Sequence, residues 1–543
     1  MSDTTIGSIG AIGSIGAAEL HRRLLAGIED LGAELAVLDA REQGAFSQDH
    51  LFWGSCVPLS RLELLIADLV PRRDCPVVWV DADGAPGGPA RRAATRMAEL
   101  GWTDVAVLDG GIAAWTGERY SGVNVPSKAF GEWVEQREHT PHIAAADLAA
   151  RQAAGERLVI LDSRPMREFR RMSIPGGIDC PGAELVYRYH DVAPDPGTTV
   201  VVNCAGRTRS IIGAQSLRNA GIPNPVLALE HGTMGWELAG LTLAHGETTH
   251  APDPSPAGLA AATAARDRVV QRFGVRTVDD ATVQAWLADP ARTTFLLDVR
   301  TAEEHAAGHH PAARHAPGGQ VVQAADEYIG VLGARVVLVD DSSLVRATMT
   351  ASWLLQLGRY DVVVAHLADR SATGPDPSSA FLPDAAAVPT IGVDELAASL
   401  DTIAVLDLAE SLRHRRAHVP GAYWAVRSRL DEVDLEPPAG GIVLTSPDGL
   451  LARLAHADAA QRWPGARVRV LDGGTAAWTA AGQALEAGLQ RATTATDDVW
   501  YKPYDAEDEA VARQHMQDYL DWEVALLEQI ARDDLVAFRT FPA

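Results

Sequence analysis

One short stretch of the chain carries residues suited to covalent chemistry. Cys204 follows an apolar run and precedes a glycine, Arg207 and Arg209, in the sequence Val-Val-Asn-Cys-Ala-Gly-Arg-Thr-Arg-Ser that ends at Ser210. A turn that leads from a strand into a helix at Ser210 gathers backbone N–H groups around one concavity, and such a nest binds anions. The helix dipole and the two arginines stabilise a thiolate there. We therefore predict that the pKa of Cys204 lies below its ordinary value and that this side chain is a nucleophile.

Cysteine usage and net charge limit the class of protein. The 543 residues include four cysteines, Cys56, Cys75, Cys180 and Cys204, and none of them has the spacing of a C-x2-C metal site. So few thiols do not make a disulfide scaffold, so the composition favours a reducing cytoplasm and predicts neither a metal nor another cofactor. A formal charge of −25 repels phosphate backbones and anionic lipid. Nucleic acid and membrane surfaces are therefore disfavoured as partners.

The beginning of the chain does not have the pattern of a targeting segment. The residues from Met1 to Gly16 contain no Lys or Arg, and a signal peptide needs a basic start. No stretch of the sequence approaches the length of about 18 uninterrupted apolar residues that a membrane span requires. We expect neither a signal peptide nor a transmembrane helix.

The pattern around Cys204 recurs through the chain. Four apolar runs end in Asp, at positions 39, 162, 298 and 407, and Arg follows two residues later in the first three. A second apolar run ends 42 residues further on at Asp81, Cys204 and Asp340, and 38 residues further on at Thr445. A third run leads into a Gly-containing turn with Trp115, Trp236 or Trp478 six residues after an acidic residue, and this feature is missing from the third copy. Four tandem repeats are therefore predicted.

The repeats have the alternation of an α/β fold. Short Val, Leu and Ile runs bounded by Gly and Pro alternate with Ala- and Leu-rich stretches of helical length. Strands that are apolar throughout and separated by helices indicate a parallel sheet covered by helices on both faces. Ligands bind at the carboxyl ends of such strands, and Cys204 lies at one of these ends.

We predict five segments, which comprise four repeats and a mainly helical C-terminal tail. Their bounds are 15–122, 140–250, 272–370, 388–487 and 497–543. Pro-rich stretches at 251–257 and 373–379 predict linkers. The aromatic run 500–504 is predicted to dock the tail onto a repeat rather than to take part in chemistry.

Taken together, these pieces resemble the rhodanese sulfurtransferases. The resemblance rests on the strand-Asp-x-Arg opening, the loop centred on Cys204 and the Leu-Asp-Gly-Gly-x-x-x-Trp ending, and it covers nearly the whole chain as four copies. It implies a parallel five-stranded sheet in each copy and a catalytic cysteine that alternates between thiolate and persulfide. That cysteine corresponds to Cys204 here. The residues expected to bind the substrate are Ala205, Gly206, Arg207, Thr208, Arg209 and Ser210.

Only the second copy carries the cysteine. Its place is taken by Asp81 in the first copy, by Asp340 in the third, and by Thr445 or its neighbour Ser446 in the fourth. A carboxylate in an anion-binding nest does not perform thiol chemistry, so these three copies are predicted to be inactive and to serve packing or partner binding. The second copy itself departs from the family pattern where Gly-His is usual, because Met172 and a serine stand there.

The resemblance implies a two-step displacement at Cys204. The thiolate attacks the outer sulfur of a donor such as thiosulfate, sulfite leaves, and a thiol, cyanide or another thiophilic acceptor then removes the sulfur. Arg207 and Arg209 are expected to bind the anionic donor. The side chains expected to brace the loop by charge pairing are Asp162, Arg164 and Arg167. Glu168 is expected to form a structural salt bridge.

Two other functions remain open at this stage. Cys-dependent phosphatases have Arg six residues after the cysteine, but Ser210 stands there and Arg209 comes one residue earlier. A shorter loop makes a smaller nest, which suits a sulfur atom better than a phosphate. Alternatively, the chain is a sensor or scaffold on which Cys204 is persulfidated once. Cys180 is expected to be a buried spectator, with a resolving thiol as the alternative, and a homo-oligomer is also open.

Overall fold

The computed structural model describes residues 12–376, 379–384 and 388–542. Within them the chain forms four five-stranded sheets, one in each repeat, which we call units one to four. Every sheet has the strand order first, fifth, fourth, second, third, and the strands pair in parallel throughout. The predicted fold of four tandem α/β units is therefore confirmed.

Units one and two have the same succession of elements. The strands of unit one are β1 (Gly13–Ile15), β2 (Ala36–Asp39), β3 (Ser55–Cys56), β4 (Val77–Val80) and β5 (Val105–Leu108). Its helices are α1 (Ala17–Glu29), α2 (Gln43–Phe46), α3 (Leu62–Leu69) and α4 (Pro89–Glu99), and α5 (Val125–Glu138) leads to unit two. The strands of unit two are β6 (His142–Ile143), β7 (Leu158–Asp162), β8 (Ile178–Asp179), β9 (Thr199–Asn203) and β10 (Val226–Leu229). Its helices are α6 (Ala145–Ala153), α7 (Met166–Arg171), α8 (Glu184–Val192), α9 (Thr208–Asn219) and α10 (Gly232–Leu238).

Units three and four repeat the pattern after a further helix, α11 (Pro256–Phe273). The strands of unit three are β11 (Arg276–Thr277), β12 (Thr294–Asp298), β13 (Arg314–His315), β14 (Arg335–Val339) and β15 (Asp361–Ala365). Its helices are α12 (Asp280–Leu287), α13 (Ala302–Ala307), α14 (Gly318–Gln323), α15 (Ala325–Tyr328) and α16 (Val345–Leu357). The strands of unit four are β16 (Thr390–Ile391), β17 (Ala404–Asp407), β18 (Tyr423–Trp424), β19 (Ile442–Thr445) and β20 (Val468–Leu471). Its helices are α17 (Val393–Ala397), α18 (Ser411–Arg416), α19 (Leu450–Arg462) and α20 (Gly474–Ala480), and α21 (Glu509–Ile530) forms the tail.

Strand β9 shows why the sheets are covered on both faces. Val200 and Val202 pack in one hydrophobic cluster and Val201 in another, and all three are fully buried. Because successive side chains of a strand point to opposite faces, both faces of this sheet are covered. This arrangement explains the uninterrupted apolar runs from which the parallel strands were predicted.

Helices outside the repeats join the units. Helix α11 packs against α8 of unit two and α16 of unit three, and α21 packs against α5. The stretch 251–257, predicted to be a linker, is helical from Pro256 onward, and the Ser255 side chain caps α11 by accepting from the Gly258 N–H at 3.0 Å. Residues 377 and 378 of the other predicted linker lie outside the described residues, as do residues 1–11, where we expect no signal peptide. No helix in the described part of the chain is long and apolar enough to cross a membrane.

Candidate active site

Cys204 lies at the junction between β9 and α9, where the strand ends and the chain turns into the helix. Helix α9 begins at Thr208, two residues before the start at Ser210 that the sequence predicted, so Ser210 lies within its first turn. The cysteine is 2% exposed and lines a cavity of about 180 Å3. Of the residues predicted to bind the substrate, those from 205 to 209 line the same cavity, whereas Ser210 lies outside its lining.

Two carbonyl groups of the loop are bonded to the backbone at the start of α10. The Cys204 carbonyl accepts from the Thr233 N–H at 2.9 Å, and the Ala205 carbonyl accepts from the Met234 N–H at 3.0 Å. Because a trans peptide is planar, the N–H group that follows each of these carbonyls points the opposite way. Gly232 permits this close approach, since a Cβ atom at that position would lie 2.3 Å from the Cys204 carbonyl oxygen. The loop therefore has the form of an anion-binding nest.

The structure gives Cys204 a raised pKa, contrary to the prediction from the sequence. Burial is the largest cause, and the carboxylate of Glu523 on α21 adds to it. The guanidinium of Arg209 and hydrogen bonding from Ser210, including its backbone N–H, act in the opposite direction but do not outweigh burial. The prediction was wrong because it considered the loop alone, whereas the thiol is enclosed by other parts of the chain.

The two loop arginines are both paired with carboxylates. Arg207 donates to Glu132 of α5 through two hydrogen bonds of 2.7 Å and also contacts Glu135. Arg209 donates to Glu168 at 2.8 and 3.1 Å, so Glu168 forms the salt bridge predicted for it. The binding of an anionic donor by these two arginines therefore stays a prediction, and the donor would meet guanidinium groups that already hold carboxylates. Glu132 lies on a helix outside the repeats, which the repeat pattern does not predict.

The predicted bracing residues divide into two groups. Asp162 and Arg164 form a fully buried ion pair of 2.7 Å at the end of β7. Asp162 also accepts from the side-chain amide of Asn203 at 2.8 Å, which ties the pair to the residue before Cys204. Arg167 does not join them, because it is exposed and faces the charge of Glu410 in unit four. The structure therefore places Arg167 apart from the ion pair that braces the strand end.

In the other units the corresponding nests are filled by the chain itself. The side chains of Asp81, Asp340 and Ser446 accept hydrogen bonds of 2.9 to 3.3 Å from backbone N–H groups of the following helix. Those donors belong to Ala90, Ala347 and Ala452. Ser446 rather than Thr445 corresponds to Cys204, because its carbonyl accepts from Thr475 as that of Cys204 does from Thr233. In unit three Arg346 adds a buried ion pair of 3.0 Å with Asp340.

Several residues around Cys204 come from segments that sequence reasoning did not connect with it. Lys128 belongs to α5, Gln323 and Glu327 to unit three, and the remaining ones to the tail. The tail residues are Trp500, Lys502, Pro503, Tyr504, Tyr519 and Glu523. All residues of the run 500–504 except Tyr501 thus line the cavity, and the prediction that this run docks the tail rather than taking part in chemistry stays a prediction. The aromatic residues and the lysine of this run were the one feature of the sequence that could have indicated its place beside Cys204.

The other candidate ligands and thiols lie apart from this cavity. Cys180 is fully buried in the hydrophobic core, does not line the cavity and has a pKa well above its ordinary value because of burial. In the described part of the chain, His305, His309 and Asp376 of unit three approach one another within 4.8 Å as a group that could hold a metal ion. The ring of His305 already contacts Asp298 at 2.9 Å and Asp376 at 2.7 Å. Its polar atoms are therefore satisfied without a cation.

Comparison with known proteins agrees with this architecture. A family model of the rhodanese-like domain matches residues 20–118 and 144–239, in units one and two. The crystal structure of thiosulfate sulfurtransferase from Pseudomonas aeruginosa is 46% identical, with a TM-score of 0.90 over 98% of this chain and 100% of that chain. The HTH-type transcriptional regulator Rv0324 of Mycobacterium tuberculosis is 34% identical over 106 residues, which are 19% of this chain and 45% of the regulator. With its four sheets and its Cys204 loop, the chain belongs to the rhodanese superfamily.

Proposed function

We propose that this protein is a sulfurtransferase that moves a sulfane sulfur from an anionic donor such as thiosulfate to a thiophilic acceptor through a persulfide on Cys204. The observation that carries the proposal is the position of this thiol, which lines a cavity at a nest of backbone N–H groups. The name of the Pseudomonas aeruginosa relative, a thiosulfate sulfurtransferase, supports thiosulfate as the donor. The other three nests hold Asp81, Asp340 and Ser446, which cannot carry sulfur in this way.

Both steps are displacements at sulfur. The Cys204 thiolate forms a bond to the outer sulfur of thiosulfate, the sulfur–sulfur bond of thiosulfate breaks, and sulfite leaves with the electron pair. The product is a Cys204 persulfide anion. Cyanide or a thiolate then bonds to the terminal sulfur, the bond to Cys204 breaks, and the thiolate is regenerated. No redox cofactor is needed. Each displacement forms one bond to the transferred sulfur and breaks another, and no electrons pass to an outside acceptor.

The loop is suited to stabilise the negative sulfur formed in both steps. The N–H groups of residues 205 and 206 follow carbonyls that are bonded to the backbone of α10, and the Ser210 N–H lowers the pKa of Cys204. Donors fixed in this way need no reorganisation during the reaction. Arg209 adds positive charge, and its pairing with Glu168 holds it in place. The ion pair of Asp162 and Arg164 fixes the strand end that presents the thiol.

The replacement Cys204→Ser tests the proposal. It should abolish transfer from thiosulfate to cyanide, because the serine hydroxyl does not form a persulfide. The measurements are thiocyanate production and the mass of the intact protein after treatment with thiosulfate, which should show one added sulfur in the wild type only. Cys180→Ser is the matched control and should retain transfer. Substantial transfer by the Cys204→Ser protein would contradict the proposal.

The same assay separates an enzyme from a sensor. A sulfurtransferase produces many equivalents of thiocyanate per chain, whereas a persulfide sensor is labelled once and stops. The phosphatase alternative is tested in parallel with an aryl phosphate, which we expect to remain unhydrolysed because Ser210 stands where phosphatases have Arg.

A further inference from the structure

Lysine is almost absent from this chain, and both of its lysines lie at the cavity of Cys204. Of the 47 Lys and Arg residues, the sequence contains lysine only at positions 128 and 502. These two positions are 374 residues apart, yet both side chains line the cavity of Cys204. Arginine serves as the cation everywhere else, so the sites at 128 and 502 stand out in residue type. An ammonium differs from a guanidinium in being a compact point charge without a planar fork.

Lys128 is a buried ammonium with unused hydrogen-bonding capacity. Its side chain is 3% exposed, and its Nζ donates to the Val123 carbonyl at 2.5 Å. The rings of Trp500, Tyr519 and Trp522 surround it, with Nζ 5.1 to 5.3 Å from their centroids. Among the described residues it has no carboxylate partner within salt-bridge distance. Since an ammonium has three N–H donors, two of them lack an acceptor in this cavity wall.

Lys502 provides a second unpaired ammonium on the side of the cavity where Glu168 lies. Burial would raise the pKa of Glu168, but Arg209 and, more weakly, Lys502 lower it to about 2. No salt bridge in the described part of the chain includes Lys502. By contrast, Arg207 and Arg209 are each held by carboxylates. The cations available to a small ligand are therefore the two lysines rather than the loop arginines.

We propose that Lys128 and Lys502 form the anion-binding site that selects the sulfur donor, and that this donor is a small dianion whose oxygen atoms the two ammonium groups hold while its outer sulfur meets Cys204. This inference rests on the proposed function and assigns donor recognition to segments outside the rhodanese units. The carboxylates of Glu327 and Glu523 also line the cavity and oppose an anion. Both lysines are therefore needed, and the leaving dianion is stabilised by the same charges.

The test compares a dianionic with a monoanionic donor. Lys128→Met and Lys502→Met should each lower kcat/KM for thiosulfate by about tenfold or more, the loss expected when a charge-assisted hydrogen bond is removed. With benzenethiosulfonate, a monoanionic donor whose outer sulfur bonds to Cys204 as benzenesulfinate leaves, and cyanide as acceptor, the same variants should stay within about threefold of the wild type, because this donor carries one negative charge fewer for the lysines to hold. Lys502→Arg, which retains the charge, should recover most of the thiosulfate activity. Arg23→Met removes one surface charge of unit one and serves as the control.

A binding measurement makes the inference independent of turnover. In a Cys204→Ser background, the protein is titrated with sulfite and its tryptophan fluorescence is followed, since Trp500 and Trp522 lie beside Lys128. The Kd obtained in this way should rise by about tenfold or more when Lys128→Met or Lys502→Met is added. Equal losses with both donors, or an unchanged Kd for sulfite, would overturn the assignment of the lysines. If instead the Kd shifts as expected but the wild type transfers no sulfur, the anion site stands and the proposed function fails.

Discussion

Cys204 and Lys128 are two buried groups whose charged forms are both disfavoured by burial. Burial raises the pKa of the thiol, and it lowers the pKa of Lys128 to about 8. The charges that face Lys128 are the carboxylates of Glu523, Asp326 and Glu327, which favour its protonation, and Arg209, which opposes it. The reactive combination of thiolate and ammonium is therefore a minor species at every pH, and its amount depends on both groups.

The pKa values of Cys204 and Lys128 together predict how kcat/KM for thiosulfate depends on pH. Thiolate formation makes kcat/KM for thiosulfate rise with pH, but Lys128 loses its proton as the pH passes about 8, so the rise should level off there. In Lys128→Arg the charge persists, because Arg is not deprotonated in proteins, and the rise should continue toward the pKa of Cys204. The measurement is log kcat/KM between pH 6 and about 10, a range that includes the Lys128 pKa of about 8 and the ordinary pKa of a cysteine thiol. Parallel profiles for the two proteins would contradict the role given to Lys128.

At the scale of elements, helix α21 contributes two residues to the cavity of Cys204, and one of them is a carboxylate that raises the pKa of the thiol. Glu523 is 1% exposed and accepts from the Thr208 hydroxyl at 2.7 Å, which places α21 against the first turn of α9. Its other carboxylate oxygen has no partner among the described residues. An unpaired buried charge beside the loop disfavours a second negative charge on Cys204.

Glu523→Gln should therefore make Cys204 more reactive. The amide can still accept from Thr208, but the negative charge that raises the pKa of the thiol is gone. We expect alkylation of Cys204 by iodoacetamide at pH 8 to accelerate several-fold, with the midpoint of its pH dependence at lower pH. Glu528→Gln, an exposed position of the same helix, is the control. An unchanged alkylation rate in Glu523→Gln would show that burial alone sets the pKa.

Sequence periodicity predicted the elements within the units far better than the contacts between them. The apolar runs ending at Asp162 and Cys204 became β7 and the start of the loop, because a doubly covered strand needs apolar side chains on both faces. Lys128, Glu132 and Glu523 could not be assigned in this way. They act across elements that are far apart in sequence, and no local pattern records which helix covers which loop.

At the scale of the whole molecule, unit three is joined to unit two at the position that corresponds to Cys204. Arg346 fills the nest of unit three and is fully buried, with Glu184 of unit two at 3.2 Å and Glu304 at 2.5 Å. It also pairs with Asp340 and Asp341. Asp340, which corresponds to Cys204, is thus part of a cluster of buried ion pairs that connects unit three to unit two. This explains how a unit without the cysteine is retained in the architecture.

Arg346→Met should destabilise the protein strongly. Removing one partner of a buried ionic cluster leaves uncompensated carboxylates, at a cost of about 3 to 5 kcal/mol. The matched control is Arg276→Met, whose exposed pair with Asp361 is expected to contribute about 1 kcal/mol or less. The midpoint of denaturant unfolding measures both. A similar small change in the two variants would show that the cluster does not join the units.

The enclosure of Cys204 by α21 also has a consequence during synthesis. The loop is complete once β9 and α9 have formed, but its cover, including Tyr519 and Glu523, is translated more than 300 residues later. At about 5 to 20 residues per second, the nascent chain presents an open thiol for roughly 15 to 60 seconds. Until the last helix emerges from the ribosome, the loop lacks the residues of α21 that line its cavity and help to bury its thiol.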